Sequence, residues 1–262
     1  MLQKHSYLSV FKELLLTDLH ILRGTLFDQM FNLIIWASTQ IIVASYLMPL
    51  LGMSSAFSSF MLVGLCASAG LFGIFPNVAL MISDFEGDQV FAYYLTLPIP
   101  SWMVFFRLII YYALNYAFLG ALVLPVGKLL IWNQFDASTI HWDQFAVMFI
   151  LTHFFYGAFT LWIASRVRNM TKMSNAWMRF VYPIWFMGGF QFSWYMLESK
   201  WPYLAWLNLF NPMTYIMEGM RGAVLGQTGY LNVWLCACML TVFTILCSWR
   251  GIMRLKQRLD FV

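Results

Sequence analysis

An all-α integral membrane protein is the fold class this sequence predicts, and three observations carry the prediction. Hydrophobic residues make up 61% of the chain, and its mean hydropathy is +0.72. Charged residues account for only 10%, against about 25% in soluble domains. The apolar residues come in runs long enough for membrane-spanning helices of about 20 residues, and 262 residues hold about six of them. No sizeable soluble domain fits in what remains.

The elements follow in order. Residues 1–26 carry Lys12, Glu13, Asp18 and Arg23, which interrupt any signal-peptide core. Tyr7, Leu8, Phe11, Leu14, Leu15, Leu19 and Leu22 trace a helical stripe, so the expectation is an amphipathic helix lying in the interface plane. Spans are expected over 27–48, 57–82, 102–126, 143–165, 180–197 and 231–249. The second is rich in small residues: Gly64 and Ser68, then Ala69 and Gly73, are each four apart, a spacing that lets backbones approach closely in lipid. The four cysteines all lie in apolar runs, so packing is their expected role rather than a disulfide framework.

The segment 84–100, between the second and third spans, opens with Asp84, Glu86 and Asp88. An Asp at the centre of a membrane helix costs roughly 2.5 to 3.5 kcal/mol, so three carboxylates in five residues belong in water. Acids suit the positive N-terminal end of the short helix that follows. In it Phe91, Tyr94 and Leu95 share one face, and Pro98 and Pro100 close it. That face is expected either to lie on lipid or to fill a groove in a cytosolic partner.

Orientation follows from basic residues. With six spans, Lys4, Lys12, Arg23, Arg107, Arg166, Arg168, Lys172, Arg179, Arg250, Arg254, Lys256 and Arg258 fall on one side, and Lys128, Lys200 and Arg221 on the other. Both termini, the acidic segment and the tail 250–262 are therefore expected in the cytoplasm. The segment 198–230 is then outside. Asn211 is a good N-cap and Pro212 a good first helical residue, so a helix of roughly 14 residues is expected, too short to cross and dipping into the outer half of the membrane. Glu218 and Arg221 are expected to pair at i, i+3.

Catalytic chemistry is not offered. Gly127-Lys128 lacks the spacing and the Ser or Thr of a phosphate loop, and the four histidines form no metal-ligand pattern. Asn32, Gln40, Asn115, His153 and Gln191 are polar groups within expected spans and should face other helices or a cavity. Asn32 and Asn115 suit interhelical hydrogen bonds, and His153 suits helix packing. Gln191 sits in an aromatic band with Trp185, Phe190, Phe192 and Trp194, whose rings suit either the membrane interface or a flat apolar or sugar ligand.

Three features coincide: an acidic amphipathic segment before the third span, the run Phe210-Asn211-Pro212-Met213-Thr214-Tyr215 with Glu218 and Arg221 before the last, and an interfacial helix followed by six spans. Together they resemble the permease subunit of the ATP-binding cassette type-2 exporters, a family that includes bacterial drug, lipooligosaccharide and polysaccharide exporters. Thr96-Leu97-Pro98 is similar to the turn that ends the family's Glu-rich segment, although the basic residue often found within that segment is absent here before Arg107. The resemblance implies a homodimer in the bacterial cytoplasmic membrane, bound to two separate ATPase subunits that hold the ATP and Mg²⁺. This chain itself would need no cofactor, and its partners would be a second copy, the ATPases and lipid, not nucleic acid. The resemblance further implies an ATPase-coupling role for Asp84, Glu86, Asp88, Phe91, Tyr94 and Leu95, with the N-terminal helix helping to cradle the ATPase. It implies an outer gate at Asn211, Pro212, Tyr215, Glu218 and Arg221. A substrate path would run between two copies, with Gln40, Trp185, Phe190, Gln191, Phe192 and Trp194 as candidates. The alternative is a membrane scaffold or assembly factor with no transport role.

Overall fold

The computed structural model describes residues 7–87 and 90–259. Among these the protein is helical throughout, with no strand. Five helices are long and apolar enough to cross a membrane: α1 (Tyr7–Ile42), α2 (Ala56–Glu86), α4 (Ser101–Leu130), α5 (Trp142–Arg166) and α11 (Val233–Leu259). The short α3 (Val90–Leu95) follows α2. After α5 come α6 (Met170–Ala176), α7 (Tyr182–Met187), α8 (Trp194–Lys200), α9 (Pro202–Asn208) and α10 (Pro212–Leu225).

The N-terminal region differs from expectation. The interfacial helix and the first span are one helix, which continues through a π turn (Val43–Leu47) and a 3-10 turn (Met48–Leu51). A lone Gly24 costs a helix only about 1 kcal/mol, and no proline intervenes before Pro49. At 36 residues α1 is about 54 Å long, well beyond a hydrocarbon core of about 30 Å, so one end projects into water.

The expected span over 180–197 is not one helix. Helix starts at Met170, where the Asn169 side chain accepts the Lys172 N–H at 3.0 Å. It runs through a π turn (Trp177–Val181) and stops at Met187, about 27 Å in all. Lys172 and Arg179 made its first half read as loop. The basic tail likewise continues α11, as far as Leu259.

Small residues set the packing of α2. A Cβ at Gly64 would come within 2.9 Å of Arg221 Nη2, and one at Gly70 within 2.9 Å of Tyr116 Cβ. Ser68 Oγ accepts the Trp185 Nε1–H at 2.9 Å. Gly64, Ser68 and Gly70 are thus packed by this chain's own side chains. Within α2, Pro76 cannot donate to Phe72, and the neighbouring Asn77 side chain bonds Gly73 O at 2.8 Å and Tyr116 Oη at 3.1 Å. Of the other polar groups within spans, His153 Nδ1 lies 2.7 Å from Phe149 O of its own helix. Asn115 is buried and makes no hydrogen bond among the described residues, unlike the interhelical bond expected of it.

Candidate functional site

Three regions carry the residues singled out from the sequence. The first is α3. The Asp84 carboxylate, at the end of α2, accepts the Val90 N–H on Oδ1 and the Phe91 N–H on Oδ2, each at 3.0 Å. One carboxylate therefore satisfies two of the free donors at the start of α3. Glu86 is exposed beside it, and Asp88 lies outside the described residues.

The apolar face of α3, expected on lipid or in a partner groove, turns toward this chain's own core. Phe91 is buried against Phe85, with ring centroids 5.6 Å apart. Arg258, from the end of α11, stacks over Phe85 at 4.8 Å and donates from Nη1 to Val167 O at 2.8 Å. Tyr94 is half-buried beneath the Arg107 guanidinium, 4.2 Å from its centroid, and Leu95 packs against the core. Arg107, 2% exposed, pairs with Asp18 of α1 at 3.1 Å. These rings pack against Phe85 of α2, Arg107 of α4 and the helical core of this chain itself. The side of α3 left open carries Val90, Tyr93 and Thr96, with Tyr93 62% exposed. Through Arg107 and Arg258, α3 is tied to both α1 and α11.

The second region is the segment 188–231, built around α10. Asn211 caps α10 by accepting the Met213 N–H at 3.0 Å, and Pro212 occupies the first helical position. Every residue from Met213 to Val224 is buried, so α10 is a core element and not a surface-lying helix. Glu218 and Arg221 are fully buried yet do not form the expected ion pair. Glu218 accepts the backbone N–H groups of Trp194 at 2.9 Å and Leu231 at 3.1 Å. Arg221 donates to Gly189 O at 2.6 Å and Phe190 O at 2.8 Å, with longer bonds to Phe192 O and Phe60 O. Its guanidinium lies 3.4 Å from the Phe60 ring centroid. Burial raises the Glu218 carboxyl above the usual carboxylate range, opposed by the Trp194 N–H, the Arg221 charge and the Leu231 N–H. Two chain reversals with unpaired backbone groups lie nearer to these charges than the charges lie to each other, and that is why spacing on the helix misjudged them. Carbonyls at the end of α7 are met in the same way: Asn208 Nδ2 donates to Met187 O at 2.6 Å, and Asn211 Nδ2 donates to Ile184 O at 2.7 Å, which also accepts the Gly188 N–H. Tyr215 Oη donates to Leu209 O at 2.8 Å.

The third region is the seam between α1 and α2, where two cavities lie. One, about 280 Å³, is lined by Gln29, Asn32, Leu33, Trp36, Ala69, Phe72, Gly73, Pro76 and Leu119. The other, about 190 Å³, is lined by Gln40, Val43, Ala44, Met48, Met53, Phe57, Met61 and Gln191. Trp36 packs on Phe72 at 4.3 Å. Gln40 and Gln191, far apart in sequence, therefore share one cavity, and Asn32 lines the other instead of bonding a neighbouring helix. Trp185, Phe190 and Trp194 are buried and line neither: Trp185 is held by Ser68 and packs edge-on behind Phe72 at 5.3 Å, and Trp194 Nε1 donates to Ala205 O at 2.9 Å. Phe192 is partly buried and borders neither cavity. Sequence reading missed Gln29, Trp36 and Phe72. A period of three to four from Gln29 through Leu33 and Trp36 to Gln40 was the available signal.

The seam carries no ionisable side chain. Its amides donate and accept hydrogen bonds, and its rings offer flat apolar faces, a combination suited to an uncharged ring or an amphipathic chain. Comparison with known families gives a match to the model described as ABC-2 type transporter over residues 6–225. No curated protein matches the chain.

Proposed function

Because the chain belongs to the ABC-2 type transporter family, we propose that it is the permease of an ATP-driven exporter that moves a glycan, a lipid-linked glycan or an amphipathic drug-like molecule outward by alternating access. It is a multi-pass membrane transport subunit. Hydrolysis is assigned to separate ATPase subunits that carry the ATP and Mg²⁺. The membrane is taken to be a bacterial cytoplasmic membrane with both termini inside, in line with the distribution of Lys and Arg. In this reading α3 is the coupling element, and the loop clamped by Glu218 and Arg221 is the outer gate.

The observation that supports the substrate class is the seam of uncharged amides and aromatic rings along α1 and α2. The permease is assigned to act as two copies. The surface offered to a second copy is the exposed stripe Phe27, Phe31 and Ile35 of α1, each four residues apart. Disulfide cross-linking of an Ile35→Cys variant in native membranes is expected to give a dimer band; a monomer band alone, with transport intact, removes this interface. The experiment that tests the function is a hydrolysis screen on the permease purified with its ATPase. Glycans or amphipathic compounds are expected to stimulate hydrolysis, and Gln40→Leu with Gln191→Leu to abolish the stimulation while the ATPase stays bound. A permease that retains no ATPase and shows no export would favour a scaffold.

A further inference from the structure

The cytoplasmic half of α11 lies close against α5. A Cβ at Gly251 would stand 3.2 Å from the backbone N and Cα of Trp162, so only a glycine permits this approach without a shift. The approach brings the last residue of α5 beside two arginines of α11, and Arg166 feels the like charges of Arg254 and Arg250. All three are exposed, and the Arg166 guanidinium lies over the Trp162 ring at 4.4 Å from its centroid. Among the described residues the one ion pair within 4.0 Å is Asp18–Arg107, so no carboxylate among them pairs with any of the three.

The same helix turns an apolar side outward. Of the five long helices α11 has the smallest buried share. Val242, Ile245, Leu246, Trp249 and Met253 are exposed at helical spacing, and Arg250 and Arg254 lie on the flank of that stripe. An apolar stripe that faces lipid and ends in clustered guanidiniums between two tryptophans fits one chemistry: acyl chains along the helix and an anionic phosphate at its end. Guanidinium is the group best matched to phosphate, because its planar fork donates two parallel hydrogen bonds.

We propose that Arg166, Arg250 and Arg254, with Trp162 and Trp249, form a binding site for an anionic phospholipid of the cytoplasmic leaflet. The bound lipid relieves the mutual repulsion of the three charges and holds α11 against α5. Since Arg258 at the end of α11 also meets Phe85 beside α3, the site lies on the helix whose end supports the coupling element.

Native mass spectrometry of the full chain in mild detergent tests this, with phosphatidylglycerol, phosphatidylcholine or inorganic phosphate added in turn. The wild type is expected to retain phosphatidylglycerol at least tenfold more than phosphatidylcholine and to gain thermal stability from it. Inorganic phosphate at equal concentration should give no gain, because the stripe contributes part of the binding. The triple variant Arg166→Gln, Arg250→Gln and Arg254→Gln should lose both the retention and the gain, whereas Lys172→Gln with Arg179→Gln should keep them. Equal retention of the two lipids by the wild type overturns the proposal. So does a triple variant that binds phosphatidylglycerol normally and loses its ATPase instead, which would mark an acidic protein partner.

Discussion

Arg221→Met should leave little or no folded permease in the membrane. The substitution keeps an unbranched, flexible side chain, though a shorter one, and removes every donor that meets Gly189 O and Phe190 O. Each buried carbonyl left without a partner costs about 1 to 3 kcal/mol, set against a net stability of about 5 to 15 kcal/mol for a whole domain. It also strands Glu218, because the positive charge that opposes its burial is gone. Arg221→Lys should recover only part of the loss, since an ammonium is a single point and cannot reach carbonyls on two sides as the guanidinium fork does. Glu218→Gln should be milder, keeping one acceptor for the Trp194 or Leu231 N–H and turning a donor toward the other. The measurement is the quantity of inserted protein and its melting temperature in detergent, and an Arg221→Met protein at wild-type level and Tm would show that the loop Gly188–Ser193 does not depend on the clamp.

Asp18→Ala should be the next most damaging change. It leaves Arg107 charged, nearly inaccessible and without its one carboxylate. Removing one partner of a buried pair costs about 3 to 5 kcal/mol, whereas replacing both by apolar residues of similar size is often neutral. The double variant Asp18→Leu with Arg107→Met should therefore regain most of the stability that Asp18→Ala loses. It should not regain coupling, because the guanidinium that covers Tyr94 is gone and α3 is no longer tied to α1 and α4. Melting temperature and ATPase stimulation, measured together on the three proteins, separate these effects. Equal damage from the single and double changes would mean that the pair is held for packing alone.

The sequence made some of this legible and hid the rest for identifiable reasons. The start of α10 was readable because capping by Asn211 and the fixed φ of Pro212 are local chemistry. The amphipathic face of α3 was readable too, but its partners were not: Arg107 and Arg258 lie on other helices and carry charge, Phe85 lies beyond the bend at Gly87, and nothing in a periodicity marks them as neighbours. Acids at the head of α3 were foreseen, yet which of them turns back to cap it depends on the bend at Gly87. Glu218 and Arg221 were matched to each other because spacing reports neighbours on one helix. The backbone groups that claim them come from positions 189–194 and 231, brought in by the tertiary fold. The helix from Met170 was hidden by Lys172 and Arg179, which stay exposed on it. Trp36 and Phe72 were passed over because aromatic residues are abundant here, and only their contact at 4.3 Å across the seam distinguishes them.

The central claim is that α3 receives a partner ATPase on its open side and passes the movement to α1 and α11 through Arg107 and Arg258. Retention of the ATPase by affinity-purified permease tests it most directly, comparing Val90→Asp with Tyr93→Ala against Phe91→Ala. Val90 and Tyr93 are exposed, and the Tyr93 ring meets that of its chain neighbour Tyr94 at 6.0 Å, so their double variant should insert and melt close to the wild type. If Tyr93 is an anchor, its truncation should weaken docking by about 2 kcal/mol, or roughly thirtyfold. Phe91→Ala should instead lower the melting temperature of the permease itself, since its ring fills the gap beside Phe85. Sharp loss of the ATPase from the first variant at unchanged melting temperature is the predicted result. Full retention of the ATPase, with substrate still stimulating hydrolysis, would contradict the account.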